Sequence, residues 1–192
     1  TGTSITLKTE RKLAVDTGSF SLTGTSVAFK RSYVLIADSG AFVLDGKDIA
    51  LKTGRRLTVD AGIFYLTGTD AAFKVGRKLS LNSGVYSLTG TDIAFERTYI
   101  LKTENGSFIL TGADAALNVG YKLNAASGIY ELTGTDIELK ITRKLSVGSG
   151  SYNLTGTDVN LKRTYALVVD SGSFSLTGMP VNFERTYVLL AS

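Results

Sequence analysis

The chain of 192 residues contains no cysteine, no histidine and no tryptophan, and only one proline and one methionine. Without cysteine there are no disulfides or thiolate metal sites, and without histidine the usual catalytic base and the commonest metal ligand are missing. No stretch reaches the run of about 18 apolar residues that a membrane-spanning helix needs. The opening Thr1-Gly2-Thr3 carries no charged n-region or cleavage site, so no targeting signal is expected. Neither sign of charge dominates: 21 basic and 17 acidic residues leave +4, interspersed along the chain, unlike a nucleic-acid-binding arm. An apolar stripe with helical spacing is also missing. What the chain does have is 43% hydrophobic residues and 21 glycines, enough for a core in one domain of ordinary size.

Self-comparison organises the rest. Leu-Thr-Gly recurs with its leucine at 22, 66, 88, 110, 132, 154 and 176, and Leu44-Asp45-Gly46 fills the remaining place. Every interval is 22 residues, so the chain reads as a single repeat domain over 1–192, with eight repeats over 1–176 and a partial repeat over 177–192. Counting Thr1, Thr23 and Asp45 as position 1, glycine fills position 2 throughout: Gly2, Gly24, Gly46, Gly68, Gly90, Gly112, Gly134, Gly156 and Gly178. Leucine fills position 13 in every copy: Leu13, Leu35, Leu57, Leu79, Leu101, Leu123, Leu145, Leu167 and Leu189. Position 18 is always glycine, position 20 phenylalanine or tyrosine, and position 22 leucine.

Apolar residues fall in pairs two apart, at 5 and 7, at 13 and usually 15, and at 20 and 22, which is the strand period. Parity changes where glycine recurs, around Asp-Ser-Gly at 16–18 and Thr-Gly-Thr-Asp at 1–4. Glycine there is expected to supply positive φ, and aspartate the side-chain-to-backbone bonds of turns. The fold class is all-β, with three short strands per 22 residues. Such a unit builds either a parallel β-solenoid, each coil adding one strand to each of three sheets, or a repeating antiparallel hairpin ribbon closed at Asp-Ser-Gly. The unvarying period favours the solenoid, because one extra residue in a coil turns every later side chain onto the wrong face, whereas hairpin loops tolerate length change. A transmembrane barrel fits worse, since its strands need about 9–11 residues and these have roughly five. Nearly nine coils at a spacing of ~4.8 Å make a rod of about 42 Å.

Stacking turns each repeat position into a column. Phe20, Phe42, Phe64, Tyr86, Phe108, Tyr130, Tyr152 and Phe174 are expected to form an aromatic ladder beside the leucine columns of the core. Position 4 is Asp48, Asp70, Asp92, Asp114, Asp136 and Asp158. Stacked carboxylates repel, and each is expected to accept backbone N–H bonds in its own turn. A row of calcium ligands would need six to eight oxygens per ion, and no second acidic column is complete. Positions 9 and 11 exchange residues: Arg31, Arg97, Arg163 and Arg185 precede Tyr33, Tyr99, Tyr165 and Tyr187, while Arg11, Arg55, Arg77 and Arg143 follow Thr, Val or Ile. Only Val119 with Tyr121 breaks the exchange. Arginine over the tyrosine of the next coil would make a cation–π contact, and a basic binding stripe is the sharper reading of the same residues. Thr-Gly-Thr at Thr1/Thr3, Thr23/Thr25, Thr67/Thr69, Thr89/Thr91, Thr133/Thr135 and Thr155/Thr157 resembles the threonine ranks of ice-binding β-helices, but Asp45/Lys47, Ala113 and Met179 interrupt it.

The single Met179-Pro180 pair suggests a terminal coil, because proline belongs at a sheet edge, whereas Thr1-Gly2-Thr3-Ser4-Ile5 reads as an interior coil lacking a cap. The N-terminal coil is therefore expected to be cut from a longer chain or covered by another copy. Ser171-Gly172-Ser173-Phe174-Ser175-Leu176-Thr177-Gly178, with Asp170 and the preceding Arg163-Thr164-Tyr165, resembles the short tandem repeats of structural and fibre-like proteins of tailed phages. The resemblance covers the whole chain and brings no catalytic residues with it. It implies a rigid segment of a virion fibre or surface decoration, located on the virion or outside the cell. Catalytic enzymes on β-helices build clefts from loops that interrupt the coils, and no coil here carries an extra residue. Glu104-Asn105, Glu131 and Glu138 are isolated substitutions. The expected function is thus non-enzymatic, without catalytic residue, cofactor or metal. Partners are other copies, flanking fibre domains or a host-surface glycan, with no nucleic acid and no membrane span; a self-assembling extracellular filament and an ice-binding solenoid are the alternatives.

Overall fold

A computed structural model describes the chain apart from Thr1, Thr9, Glu10, Thr142, Tyr165, Tyr187, Val188 and Ser192, with side chains undescribed at Gly2, Thr3, 31–33, 53–54, Val75, 97–99, Ile141, Arg163, Thr164, Leu167, Thr186 and 189–191. Among the described residues there is no helix, hence none long and apolar enough to cross a membrane. All strand pairings are parallel, and each joins a residue to its equivalent in the next repeat, as in Ile5↔Val27, Phe42↔Phe64, Leu123↔Leu145 and Val159↔Val181. Among the described residues, pairing inside a single unit, which a hairpin ribbon requires, does not occur. The fold is a parallel β-solenoid.

Each coil has three straight segments, at repeat positions 4–8, 12–15 and 19 to position 1 of the next repeat, called here the first, second and third faces. Asp70–Val75, Lys78–Leu81 and Val85–Thr89 are one such set. The faces form two sheets rather than the three expected. In Asp48–Val59, Asp92–Thr103 and Asp114–Ala125 the first and second faces run on as one strand, and the corner between them is a local break in register, as between Phe95 and Thr98. The strand runs through that corner in these coils, with glycine at Gly54 and Gly120 and without it at Thr98, whereas at Gly76-Arg77 it divides into Asp70–Val75 and Lys78–Leu81. The third face contributes eight strands, from Ser19–Thr23 within Ser19–Ala37 to Ser173–Thr177. Eight strands bracket seven closed turns, and the nearly nine coils expected resolve into those seven with an open turn at each end.

The core lies between the faces. In one turn Val27, Phe29, Leu35, Ala37, Phe42 and Leu44 are all fully buried, at positions 5, 7, 13, 15, 20 and 22. Leu57, Leu79, Leu101, Leu123 and Leu145 continue the position-13 column in complete burial; Leu13 is half-buried, and the side chains of Leu167 and Leu189 lie outside the described residues. On the third face the rings stack coil upon coil, with Phe42 and Phe64 centroids 4.7 Å apart at 6° and Tyr86 and Phe108 5.1 Å apart at 4°. The column tilts once, by 42° between Phe108 and Tyr130, and ends in the half-buried Phe20 and Phe174. Phe29, Phe73 and Phe95 of the first face meet it edge-on, as Phe95 does Phe108 at 5.4 Å and 89°. Parallel rings along the axis and perpendicular rings across it are the two arrangements that the ring quadrupole favours.

The turns are held by the neighbouring coil. Asp38 N–H donates to the Val15 carbonyl at 3.0 Å, Ser39 N–H to Asp16 at 2.7 Å, and Gly46 N–H to Thr67 at 3.0 Å. No described glycine has the positive φ expected of it. Glycine is required instead because the coils stack so closely there: a Cβ on Gly112 would lie 2.7 Å from the Gly90 carbonyl oxygen, and one on Gly156 2.7 Å from that of Gly134. The constraint on these columns is therefore steric, along the axis.

Three tyrosines of the aromatic column are fully buried. The Tyr130 hydroxyl donates to the Asn124 carbonyl at 3.2 Å, while those of Tyr86 and Tyr152 are buried without a partner. Burial pushes all three phenols above their ordinary pKa, with Tyr130 adding to the shift at Tyr152.

Two predictions result. Gly112→Ala must displace the backbone of the adjacent coil and should lower unfolding free energy by about 2–3 kcal/mol, whereas Gly18→Ala, whose Cβ meets nothing within 4 Å, should be nearly neutral; equal losses in a denaturant titration would refute the steric account. Removing the unpartnered hydroxyl by Tyr86→Phe or Tyr152→Phe should leave stability unchanged or raised, and Tyr130→Phe should cost about 1 kcal/mol. Because folding raises these pKa values, their contribution is complete below the unfolded value of about 10 and is lost as pH rises beyond it; melting temperatures above that pH should fall, and fall less in the phenylalanine variants.

Candidate functional site

With positions 5 and 7 inside, the strand period turns positions 4, 6 and 8 of the first face outward. Position 4 is the aspartate column. Position 6 is Ala28, Ala50, Ala72, Ala94 and Ala116 in succession, then Glu138, Asn160 and Asn182. Position 8 is Lys8, Lys30, Lys52 and Lys74, then Glu96, Asn118, Lys140, Lys162 and Glu184. The alanine side chains are shorter than those on either side, so they floor an axial groove of about 830 Å³ lined by Asp70, Asp92, Asp114, Asp136 and Asp158 along one wall. Asn160 and Asn182 extend its floor, bonded to each other at 3.0 Å.

The aspartates do not cap their turns. Asp48, Asp70, Asp92, Asp114 and Asp136 are exposed, Asp158 is half-exposed, and none of the six carboxylates makes a hydrogen bond or ion pair among the described residues. The turn N–H groups they were expected to bind are already taken by carbonyls of the next coil, as Asp70 N–H is by Lys47 at 3.0 Å. Carboxylates one strand apart therefore remain directed into solvent, where repulsion is screened. Among the described residues no three acidic side chains converge in a way that could hold a metal ion.

The lysine wall is partly paired along the axis. Lys74 meets Glu96 of the next coil at 2.6 Å and Lys162 meets Glu138 at 3.2 Å, whereas Lys8, Lys30, Lys52 and Lys140 have no partner among the described residues. Exposed pairs of this kind contribute about 0–1 kcal/mol each. The face consequently offers an acidic edge and a mostly basic edge, interrupted at Glu96 and Asn118, separated by a strip that is methyl from Ala28 to Ala116 and polar at Glu138, Asn160 and Asn182.

No protein-family model matches the chain, and no curated protein or solved structure matches it. Function must therefore be argued from the surfaces themselves.

Two further surfaces flank the groove. At the corner before the second face, Arg55, Arg56, Arg77 and Lys78 are separated by the Tyr99-Ile100 coil from Lys122, Arg143 and Lys144 further along the axis. The expected arginine–tyrosine contact is present between successive coils as Arg143 over Tyr121, 4.3 Å from the ring centroid. The side chains of Arg31, Tyr33, Arg97, Tyr99 and Arg163, together with Tyr165 and Tyr187, lie outside the described residues. The third face exposes Ile63, Tyr65 and Ile129. In the middle coils Thr67 and Thr89 end a third-face strand while Thr69 and Thr91 sit in the bend beyond it, so the two threonine ranks do not share a flat face. The alanine and lysine runs at positions 6 and 8 are visible in the sequence, and the strand period alone sets them on one face with the aspartates.

A double-mutant cycle with Tyr121→Leu and Arg143→Gln should return a coupling of about 0.5–1 kcal/mol in unfolding free energy. Strict additivity would show that the stacked geometry is energetically idle.

Proposed function

We propose that the chain is a non-enzymatic structural protein, a rigid rod or fibre segment of a virion fibre or virion surface that presents a repetitive face. The observation that carries this reading is the coil-to-coil register of the described residues, which holds along all three faces from Gly2↔Gly24 through Val169↔Ala191 and slips by one residue only at the corner between the first and second faces, as at Thr98↔Val119. A cleft needs side chains that occur in one place and backbone that leaves the lattice there. Here equivalent residues pair with one another coil after coil. Bending such a rod means stretching hydrogen bonds in one face and compressing stacked rings in another, so the repeat confers stiffness as well as length. Resemblance of the repeat to phage fibre-like proteins adds the virion setting.

The test is whether length is additive in whole repeats. Duplicating residues 67–132 adds three coils and should lengthen the particle by about 14 Å at constant cross-section, read by small-angle X-ray scattering. Adding one extra residue within the duplicated block should abolish that gain, because every later side chain changes face. A particle whose dimensions ignore the duplication would overturn the rod reading. Gold-labelled antibody to the chain should decorate virion projections in electron micrographs; decoration of cell-derived filaments instead would select the extracellular filament.

A further inference from the structure

We infer that the first face is a self-complementary docking surface for a second copy of this chain, lying parallel and in register, with a two-fold axis running along the rod. The inference rests on the rod reading, since only a straight lattice keeps the columns aligned. Two copies can place these faces together in two symmetric ways. Rotation about an axis across the rod makes the copies antiparallel and sets aspartate column against aspartate column, which repel. Rotation about an axis parallel to the rod exchanges the edges, so that each aspartate column meets the lysine column of the other copy. Charge complementarity thus selects the parallel pair.

Register follows from the same residues. In the in-register pair Asp48 faces Lys52 of the second copy, and Asp70, Asp136 and Asp158 face Lys74, Lys140 and Lys162. Symmetry makes each contact twice. At the two coils between them the lysine position is Glu96 or Asn118, and Glu96 is already neutralised by Lys74. The ammonium group of Lys74 has three donors and can serve both carboxylates. From Ala28 to Ala116 the floor lets the sheets approach more closely than the ~10 Å usual for stacked sheets, which brings the charged edges within reach of each other. Beyond them Glu138, Asn160 and Asn182 stand on the two-fold axis, where Glu138, held by Lys162 at 3.2 Å, meets the Glu138 of the second copy. The face measures about 38 Å along nine strands by about 14 Å across, or about 1,100 Å² for the pair. That is the low end of specific interfaces, so pairing is weak at this length and strengthens with every added coil.

Sedimentation velocity on the full chain should show a monomer–dimer equilibrium whose dissociation constant rises about tenfold or more between about 50 mM and about 500 mM salt. Ala50→Cys and Ala116→Cys, on the two-fold axis and in a chain without cysteine, should each form a disulfide-linked dimer with itself, whereas Ser173→Cys on the third face should not. An antiparallel pair would link neither variant to itself and would overturn the assignment. Replacing Asp48, Asp70, Asp136 and Asp158 by Lys should give a folded monomer, as should replacing Lys52, Lys74, Lys140 and Lys162 by Asp. Mixing the two should restore dimers, and failure of the mixture while both remain folded by circular dichroism would overturn the pairing. A monomer of single width at all concentrations refutes the dimer and leaves the rod intact, whereas a particle without axial additivity refutes the rod.

Discussion

Parallel hydrogen bonding between residues 22 apart ties every part of this molecule to its neighbour along one axis. Because each coil pairs only with the coils before and after it, stability is a sum of nearest-neighbour terms, and no element closes the structure from a distance. The turns obey the same rule: their N–H groups are satisfied by the adjacent coil instead of by capping side chains. Glycine at position 2 follows from this. Where two coils bring backbone against backbone, the carbonyl oxygen occupies the place of a Cβ.

Stacking like upon like has opposite consequences inside and outside. Inside, identical rings and leucines interlock, and the alternation of stacked and edge-on aromatics joins the first face to the third. Buried tyrosines interrupt the ladder's uniformity at the cost of hydroxyls that find no partner at 86 and 152. Outside, a column of one charge repels itself. The lysine column relieves this with Glu96 and Glu138, each reached from a neighbouring coil, whereas the aspartate column keeps its charges in water. An asymmetric face results, acidic along one edge and basic along the other.

A lattice of this kind is suited to holding a distance and displaying a pattern. Each surface is a set of parallel columns: the alanine-floored groove, the basic corner and the aliphatic strip around Ile63 and Tyr65. All three extend with the number of coils, so any partner that reads one coil can read many, and affinity accumulates along the rod. The proposed rod and the proposed lateral pairing both derive from one repeat.

The sequence by itself determined the period, the strand character and the inward set, because spacing of two between apolar residues leaves only one face to bury them, and an invariant 22-residue interval forbids any insertion that would move them off it. The parallel solenoid was legible for that reason. The first and second faces merging into one sheet were not legible, since the corner holds glycine in some coils, at Gly54, Gly76 and Gly120, and Thr98 in another, and the strand runs through with or without it. Nor was the reason for the glycines, because φ and axial crowding both select glycine and only the stacked coordinates separate them. The roles of Asp48 to Asp158 likewise depended on where neighbouring N–H groups point, which is a property of two coils together. The strand period already set aspartate, alanine and lysine side by side as positions 4, 6 and 8 of one face. Tertiary structure decided that the first and second faces join into one sheet and that the turn N–H groups are taken by the adjoining coil, which leaves the aspartates to solvent.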